Sequence, residues 1–398
     1  MSLIEDFLRR ATDSLDQGIN VDEFVVFYPS IGIPGIDAAD CRIEIRGRIY
    51  EERQILRELP AIALALAGVS NAKELENLLG PLAHDANCIR IFNERVRDFV
   101  LDGERNEQFD IDLSGTRLKG HHSNRQGFFG LGEPWYTVPR TEVVGEDSPW
   151  IRYTATGEKA RAFQGKSQLL RPRGVIVVSD IDDTIKDSNV PELVELTLNT
   201  LFRPFRSTPR MAEIYREWQE NNAQFIYLTN SPYQLFRPLV EYLQGEAGYP
   251  EGAYYMRYVE PADLRQKISK LVAIDHELPT QENPKKHNLI PILEAFPESS
   301  FVLVGDSTEH DAAIYTDLYL GQNFPAKFSH LQKAYKDRIK KIYIRDVTNS
   351  KRRREAAEAF ARVGNEAVTR VFNPQNPDIG QDAVSVFQES VRRRGASV

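Results

Sequence analysis

Apolar residues recur along this chain with different periods in different regions. Over residues 1–18, Leu3, Ile4, Phe7, Leu8, Ala11 and Leu15 fall on one face of a helix. Arg9 and Arg10 flank that face, but Glu5, Asp6, Asp13 and Asp16 would oppose an anionic membrane, so the helix is expected to dock on its own domain. Strand-like segments follow at Phe24 to Tyr28 and Cys41 to Tyr50, with Pro29, Gly32, Pro34 and Gly35 punctuating the loop between them. Residues 52–83 read as helical. So do residues 85–101, where Ile89, Phe92, Val96 and Phe99 make one stripe. From 107 to about 170 the period is two, with Phe109, Ile111 and Leu113 alternating with Asp110 and Asp112, and glycines recurring as turn signals. That pattern predicts a small antiparallel β domain.

Residues 171–350 alternate between strand and helix signals. Val175 to Val178 is a β-branched apolar run with the character of a strand buried on both faces. Helices are predicted around 192–203 and at 209–221, the second opened by Thr208 as cap and Pro209 as first helical residue. Phe225 to Leu228 reads as the second strand. Thr229-Asn230-Ser231-Pro232 then opens another helix, and a third strand lies at Tyr254 to Val259. A helix over 285–296, a strand at Phe301 to Val304 and a last strand at Ile339 to Ile344 complete the alternation. The tail, 351–398, reads as helical, with basic clusters at Lys351 to Arg354 and at Arg392 to Arg394. Solvated charge is their ordinary reading and attraction to an anionic surface the sharper one.

This pattern predicts an α/β fold with a Rossmann-like parallel sheet, preceded by a β-rich N-terminal region with helices and followed by a helical tail. The expected divisions are 1–106 (mixed α/β), 107–170 (small β domain), 171–350 (catalytic domain) and 351–398 (basic helical tail). Composition adds limits. A chain of 398 residues, 41% hydrophobic and 27% charged, has ample material for a core. A net charge of −8 argues against nucleic acid as partner. Two cysteines, Cys41 and Cys88, suit a reducing cytoplasm. The longest apolar run, Ala61 to Val69, falls short of the roughly 20 residues a bilayer span needs, so lipid contact is expected to be peripheral.

Chemistry concentrates where predicted strands end. The first strand runs into Ser179-Asp180-Ile181-Asp182-Asp183-Thr184. In open parallel sheets ligands sit beyond the carboxyl ends of the strands. Crowded carboxylates repel unless a cation lies among them, and Mg²⁺ is the natural hard cation for oxygen ligands. One carboxylate could attack phosphorus and its neighbour transfer a proton; a helix-capping aspartate cluster is the plain alternative from this stretch alone. Thr229 ends the second strand, Asp306 the fourth, and Lys285 and Lys286 open the helix before the fourth. Together these residues supply a nucleophile, an acid/base, hydroxyls and amides for phosphate oxygens, a cation, and a further metal carboxylate. Asp110-Ile111-Asp112-Leu113-Ser114 repeats the spacing superficially, but no apolar run precedes it and its aspartates alternate onto a solvated face. His121 and His122 read as part of a polar loop.

The order D-x-D-x-T, Thr after a strand, Lys, then G-D-x-x-x-x-D resembles the haloacid dehalogenase superfamily, in its phosphatase branch. Asp180 to Lys186, Tyr227 to Leu235, Val304 to Ser307, Tyr249 to Gly252 and Ile342 to Asp346 look more narrowly like the Mg²⁺-dependent phosphatidate phosphatases of fungal actin patches and their bacterial relatives. The resemblance covers about 171–350. It implies Asp180 as nucleophile, Asp182 as general acid/base with its carbonyl on the metal, Thr229 on the phosphoryl group, and Lys285 (or Lys286) as the stabilising cation. It also implies a metal site of Asp180, Asp182, Asp306 and Asp311, a small cap, and an aspartyl-phosphate intermediate. Asp183, Thr184, Asn230 and Ser231 are the expected phosphate contacts.

Only 44 residues separate Thr184 from Thr229 and 55 separate Thr229 from Lys285, too few for a large lid. An open rim suits a phosphate carried on something bulky, such as a lipid at a membrane surface. A phosphoprotein or other phosphomonoester is the alternative substrate. A binding or targeting module with a vestigial phosphatase domain is the alternative from another class.

Overall fold

The computed structural model describes residues 22–35, 39–51, 69, 71–139, 148–259, 283–331, 333–347, 350–373, 375 and 378–395. The helix expected at 1–18, and residues 52–68 of the one expected at 52–83, lie outside the described residues. The chain divides into two compact units, residues 1–59 with 99–170 and residues 60–98 with 171–398.

The first unit is β-rich. Its strands are β1 (Glu23–Tyr28), β2 (Ser30–Pro34), β3 (Asp40–Ile43), β4 (Arg46–Glu51), β5 (Asp102–Gly103), β6 (Asp110–Leu113), β7 (Thr116–Lys119), β8 (Phe128–Phe129), β9 (Tyr136–Pro139), β10 (Trp150–Thr156) and β11 (Ala162–Leu169). One sheet has the order β1-β4-β5 with β8 also on β4; the other runs β7-β6-β10-β11-β2-β3-β9. Strands from before residue 52 and after residue 106 therefore share the larger sheet, with β2 parallel to β11. The single strand expected at 41–50 is two strands in different sheets. The break falls at Glu44, whose carbonyl accepts the hydroxyls of Ser30 and Ser167. Phe27 sits edge-on to Phe109, Phe129 and Tyr153 in the core. A Cβ at Gly165 would meet the Tyr153 ring at 2.1 Å, so no side chain fits there. Asp110 and Asp112 are exposed while Ile111 and Leu113 are buried, as alternation requires. His121 and His122 each bond a backbone carbonyl, of Pro134 and Asn106.

The second unit is the α/β unit. It begins with α1 (Ala72–Leu79) and most of α2 (Ala86–Val100). Both come from the N-terminal part of the sequence, yet α2 stacks Phe92 on Phe202 at 4.8 Å, sends Arg95 to the carbonyls of Asn199 and Thr200, and pairs Asp98 with Arg237. Then come β12 (Val175–Ser179), α3 (Leu193–Thr197), α4 (Met211–Glu220), β13 (Ala223–Pro232), α5 (Phe236–Val240), β14 (Ala253–Arg257), α6 (Pro284–Ala295), β15 (Ser300–Asp306), α7 (Asp311–Leu320), β16 (Ile339–Arg345), α8 (Ser350–Val363), β17 (Thr369–Phe372) and α9 (Asp378–Gly395). The sheet order is β14-β13-β12-β15-β16-β17, and every pairing is parallel. All five residues of β12 are buried, as its β-branched run predicts. The chain order reverses beside β12, so its carboxyl end faces the crevice where ligands bind in such sheets.

Three expectations are corrected. Thr208 does not cap α4; Arg210 at φ 65° occupies the cap position, and the Thr208 hydroxyl is held by Asp187 and Arg345. The second strand continues through Thr229 to Pro232 instead of ending at Leu228, and a short 3₁₀ turn, Tyr233–Leu235, begins only after it. The tail is not wholly helical: β17 extends the sheet, pairing with β16 from Ile342↔Thr369 to Arg345↔Phe372. It has only four residues, with Val371 exposed and Phe372 buried, too short a run to show a period in sequence.

Candidate active site

The carboxyl end of β12 delivers Asp180, whose backbone N–H still bonds Val304 O on β15. The next turn bends tightly, with the N–H groups of Ile185 and Lys186 both reaching Ile181 O. Asp183 adopts φ 54°, a conformation open to few residues besides Gly, Asn and Asp. That turn lets Asp180 and Asp182 face different partners, although they are only two residues apart.

Asp180, Asp306 and Asp311 meet, with one carboxylate oxygen from each lying within 4.8 Å of the others. All three are buried, Asp306 and Asp311 completely. Gly305 explains the approach of Asp311. A Cβ there would stand 2.3 Å from the Asp311 carboxylate, so only glycine lets α7 bring that side chain over the strand end. The Lys285 Nζ lies 2.8 Å from Asp180 Oδ1, 2.8 Å from Asp311 Oδ1 and 2.5 Å from Glu309 Oε2. Lys286 turns the other way, to Asp317 at 2.9 Å and the Asn323 carbonyl. Of the two lysines, the site therefore holds Lys285. Asn283 caps α6 by accepting the Lys285 N–H, which fixes where the lysine starts.

Four carboxylates thus face one ammonium. Burial pushes the Asp180 carboxyl well above its ordinary range, and Asp311, Glu309 and Asp306 push it further against the pull of Lys285. Burial also raises Asp306, to about 7, with Asp311 the next cause. Lys285 is pushed up: burial would lower it, but Asp180, Asp311 and Glu309 outweigh that. The Lys285 contact to Asp180 Oδ1 is an ion pair without hydrogen-bond alignment, and that buried oxygen has no hydrogen-bond donor among the described residues. Excess negative charge, hard oxygen donors and an undonated carboxylate oxygen fit a divalent cation such as Mg²⁺.

Asp182 stands in a second, donor-rich cluster. Its Oδ1 takes Lys186 Nζ and Ser188 Oγ, both at 2.7 Å; its Oδ2 takes Thr229 Oγ1 at 2.9 Å and Ser231 Oγ at 2.7 Å. Burial opposes ionisation, but Lys186 and the hydroxyls prevail and hold the carboxyl well below the usual range. Thr184 belongs to the first cluster, donating to Asp180 Oδ2 at 2.8 Å with Asp306 Oδ2 at 3.4 Å. Asn230 donates to Glu309 at 3.3 Å, while its buried Oδ1 accepts nothing among the described residues.

The structure does not bring the Asp183 side chain into this group. Its carboxylate accepts the N–H groups of Ser188, Asn189 and Val190 at 2.6–2.9 Å and so pins the loop that presents Ser188. The Asp183 carbonyl is held by Arg345 at 2.7 Å. Sequence reasoning assigned no role to Glu309, Ser188, Lys186 or Arg345. Lys186 and Arg345 lie in the motifs quoted above, and Glu309 stands between Asp306 and Asp311, so position alone could have flagged them. Ser188 carried no signal.

Residues 175–346 match the family profile described as phosphatidate phosphatase APP1, catalytic domain. Among curated proteins, the phosphatidate phosphatase APP1 of Saccharomyces cerevisiae is 30% identical over 276 residues, 65% of this chain and 41% of that protein. An uncharacterized protein of Schizosaccharomyces pombe is 25% identical over 286 residues, 66% of this chain and 42% of that protein. The chain thus spans about two fifths of the length of the curated relatives it matches. The segment similar to that catalytic-domain family contains Asp180, Asp182, Thr229, Lys285, Asp306 and Asp311.

Proposed function

We propose that this protein is a Mg²⁺-dependent phosphatidate phosphatase of the haloacid dehalogenase type, converting phosphatidate and water to diacylglycerol and phosphate through an aspartyl-phosphate on Asp180. The observation that carries the reading is the meeting of Asp180, Asp306 and Asp311 beside Lys285, inside the segment that matches the family. Asp180, Asp306 and Asp311, with the Asp182 carbonyl, would hold the ion. When bound, Mg²⁺ supplies positive charge against the phosphate dianion. An Asp180 oxygen attacks phosphorus and the bond from phosphorus to the glycerol oxygen breaks. Asp182 gives that oxygen its proton. Asp182 then takes a proton from water, whose oxygen attacks the same phosphorus, and the bond from phosphorus to Asp180 breaks.

Asp182 is held ionised in the free protein by four donors, so it must regain proton affinity when substrate arrives. Thr229 and Ser231 supply that change. A phosphoryl group seated beside them competes for their hydroxyls, and each donor withdrawn from Asp182 raises its affinity for a proton. Lys285 neutralises charge on the transferring group. The substrate would be reached from the cytoplasmic face of a membrane by peripheral association; among the described residues no helix is long and apolar enough to cross one.

The test is phosphate release from phosphatidate in mixed micelles, compared with small soluble esters, with and without EDTA. The reading expects turnover that prefers phosphatidate, stops in EDTA and returns with Mg²⁺. Asp180→Asn should remove it without unfolding the protein. Preference for a phosphoprotein or a soluble ester would move the substrate assignment elsewhere; phosphate release from no substrate with Mg²⁺ present would leave the vestigial-domain alternative.

A further inference from the structure

The basic run at residues 351–354 takes no part in the chemistry above. We infer that the first turn of α8 is an electrostatic docking surface for an anionic bilayer, set on the same edge of the sheet as the Asp180–Asp306–Asp311 cluster. The inference rests on the reading of the protein as a lipid-phosphate phosphatase and names how the site would be presented to its substrate.

Placement comes first. β16 ends at Arg345, in register with Asp306 at the end of β15. Ser307 Oγ accepts the Val347 N–H at 2.9 Å, which ties the chain leaving β16 to the residue after Asp306. Four residues further on is Lys351, at most about 14 Å along the chain. From there α8 runs away from this edge beside α7. Thr316 contacts the Ala359 carbonyl and Arg362 pairs with Asp317 at 2.8 Å, so the start of α8 is its end nearest the carboxylates.

Charge comes second. A helix carries partial positive charge at its N-terminus and favours acidic residues there. The first turn of α8 has none. It opens instead with Ser350-Lys351-Arg352-Arg353-Arg354, four cations at the end where the backbone already repels them. Arg353 is 60% exposed and is paired with Asp346; Arg354 is exposed as well. The other basic cluster, Arg392 to Arg394, shows the contrast. It occupies the last turns of α9, where the helix's own negative end favours cations. In a chain of net charge −8, four clustered cations beside a lipid-phosphate site match the negative potential of an anionic leaflet better than a polynucleotide.

The test uses the full chain and sedimentation with phosphatidylcholine vesicles, with and without phosphatidylserine and free of phosphatidate. The variant Lys351→Gln/Arg352→Gln/Arg354→Gln keeps the Arg353–Asp346 pair; Arg392→Gln/Arg393→Gln/Arg394→Gln is the control. Wild type should bind anionic vesicles and not neutral ones, and salt should weaken the binding. The first variant should lose about tenfold or more of that binding, and the control less than about twofold. Hydrolysis of a soluble ester should be unchanged in both. Equal binding by wild type and the first variant would overturn the inference. So would an equal loss in the control, or retention on RNA without retention on anionic vesicles. Vesicle binding is read without turnover, so a wild type that binds vesicles but releases no phosphate from phosphatidate refutes the enzymatic reading separately.

Discussion

Lys285 and Lys286 are sequence neighbours with different partners. Lys285 is surrounded by Asp180, Glu309 and Asp311, whereas Lys286 locks Asp317 to α6. Lys285→Met should abolish phosphate release, because the transferring group loses its cation. Lys286→Met should leave chemistry in place and lower stability by about 3 kcal/mol or somewhat less, since Asp317 keeps Arg362. Thermal melts and turnover measured on the two variants separate the roles. Asp183 is a similar case. Asp183→Ala strands three loop N–H groups and should destabilise the protein by about 2–4 kcal/mol, with turnover falling because Ser188 loses its place. Sequence made the aspartates after β12 legible as a group. It could not say which one turns inward, because that depends on a φ 54° bend that no spacing rule encodes. Asp306 carries a pH consequence. Its folded pKa, about 7, exceeds the ordinary value near 4. A carboxyl raised on folding stabilises at low pH and loses that contribution as pH rises from about 4 through about 7. Without divalent ions, the melting temperature should therefore fall across that window. Mg²⁺ should raise it more at pH 7.5 than at pH 5, by calorimetry; an equal rise at both would contradict the assignment of Asp306 to the ion.

Among the elements, the central strands were legible because buried parallel strands are written as unbroken apolar runs. The end of β13 was not. Thr229-Asn230-Ser231-Pro232 looks like a cap and a helix start, yet its backbone stays extended and pairs Pro232 with Arg257 of β14. The extension places Thr229 and Ser231 on the same side, both donating to Asp182. The tail was misread for another reason. β17 is short and its pairing with β16 is a backbone event that its side chains do not announce. The family match stops at 346, but the sheet does not. α9 sets the Gly380 carbonyl on the Trp218 indole at 3.0 Å and Phe387 against its ring, and Asp382 takes both Lys341 and the Tyr343 hydroxyl. Ending the chain at 346 would expose Trp218 and the open edge of β16. That truncation should bind a hydrophobic dye and lose its cooperative melt, whereas a self-sufficient catalytic segment would melt as the full chain does.

At the scale of the molecule, alternation of period two against strand–helix alternation distinguished the β-rich unit from the α/β unit. What it could not show is that both units are discontinuous in sequence. α2 reads as part of the N-terminal region, but Phe92, Arg95 and Asp98 give it to the α/β unit. Such assignments rest on contacts between residues 104 to 139 positions apart, which no local pattern contains. The site itself is assembled the same way, from the ends of β12, β13 and β15 and the start of α6, and its central claim is that Asp180 takes the phosphoryl group. The direct measurement is rapid quenching of the enzyme with phosphatidate carrying labelled phosphate, in Mg²⁺, followed by peptide mapping. The account predicts transient, acid-stable and hydroxylamine-labile label on the peptide containing Asp180, absent in Asp180→Asn. Label on another residue, or full turnover by Asp180→Asn, would contradict it.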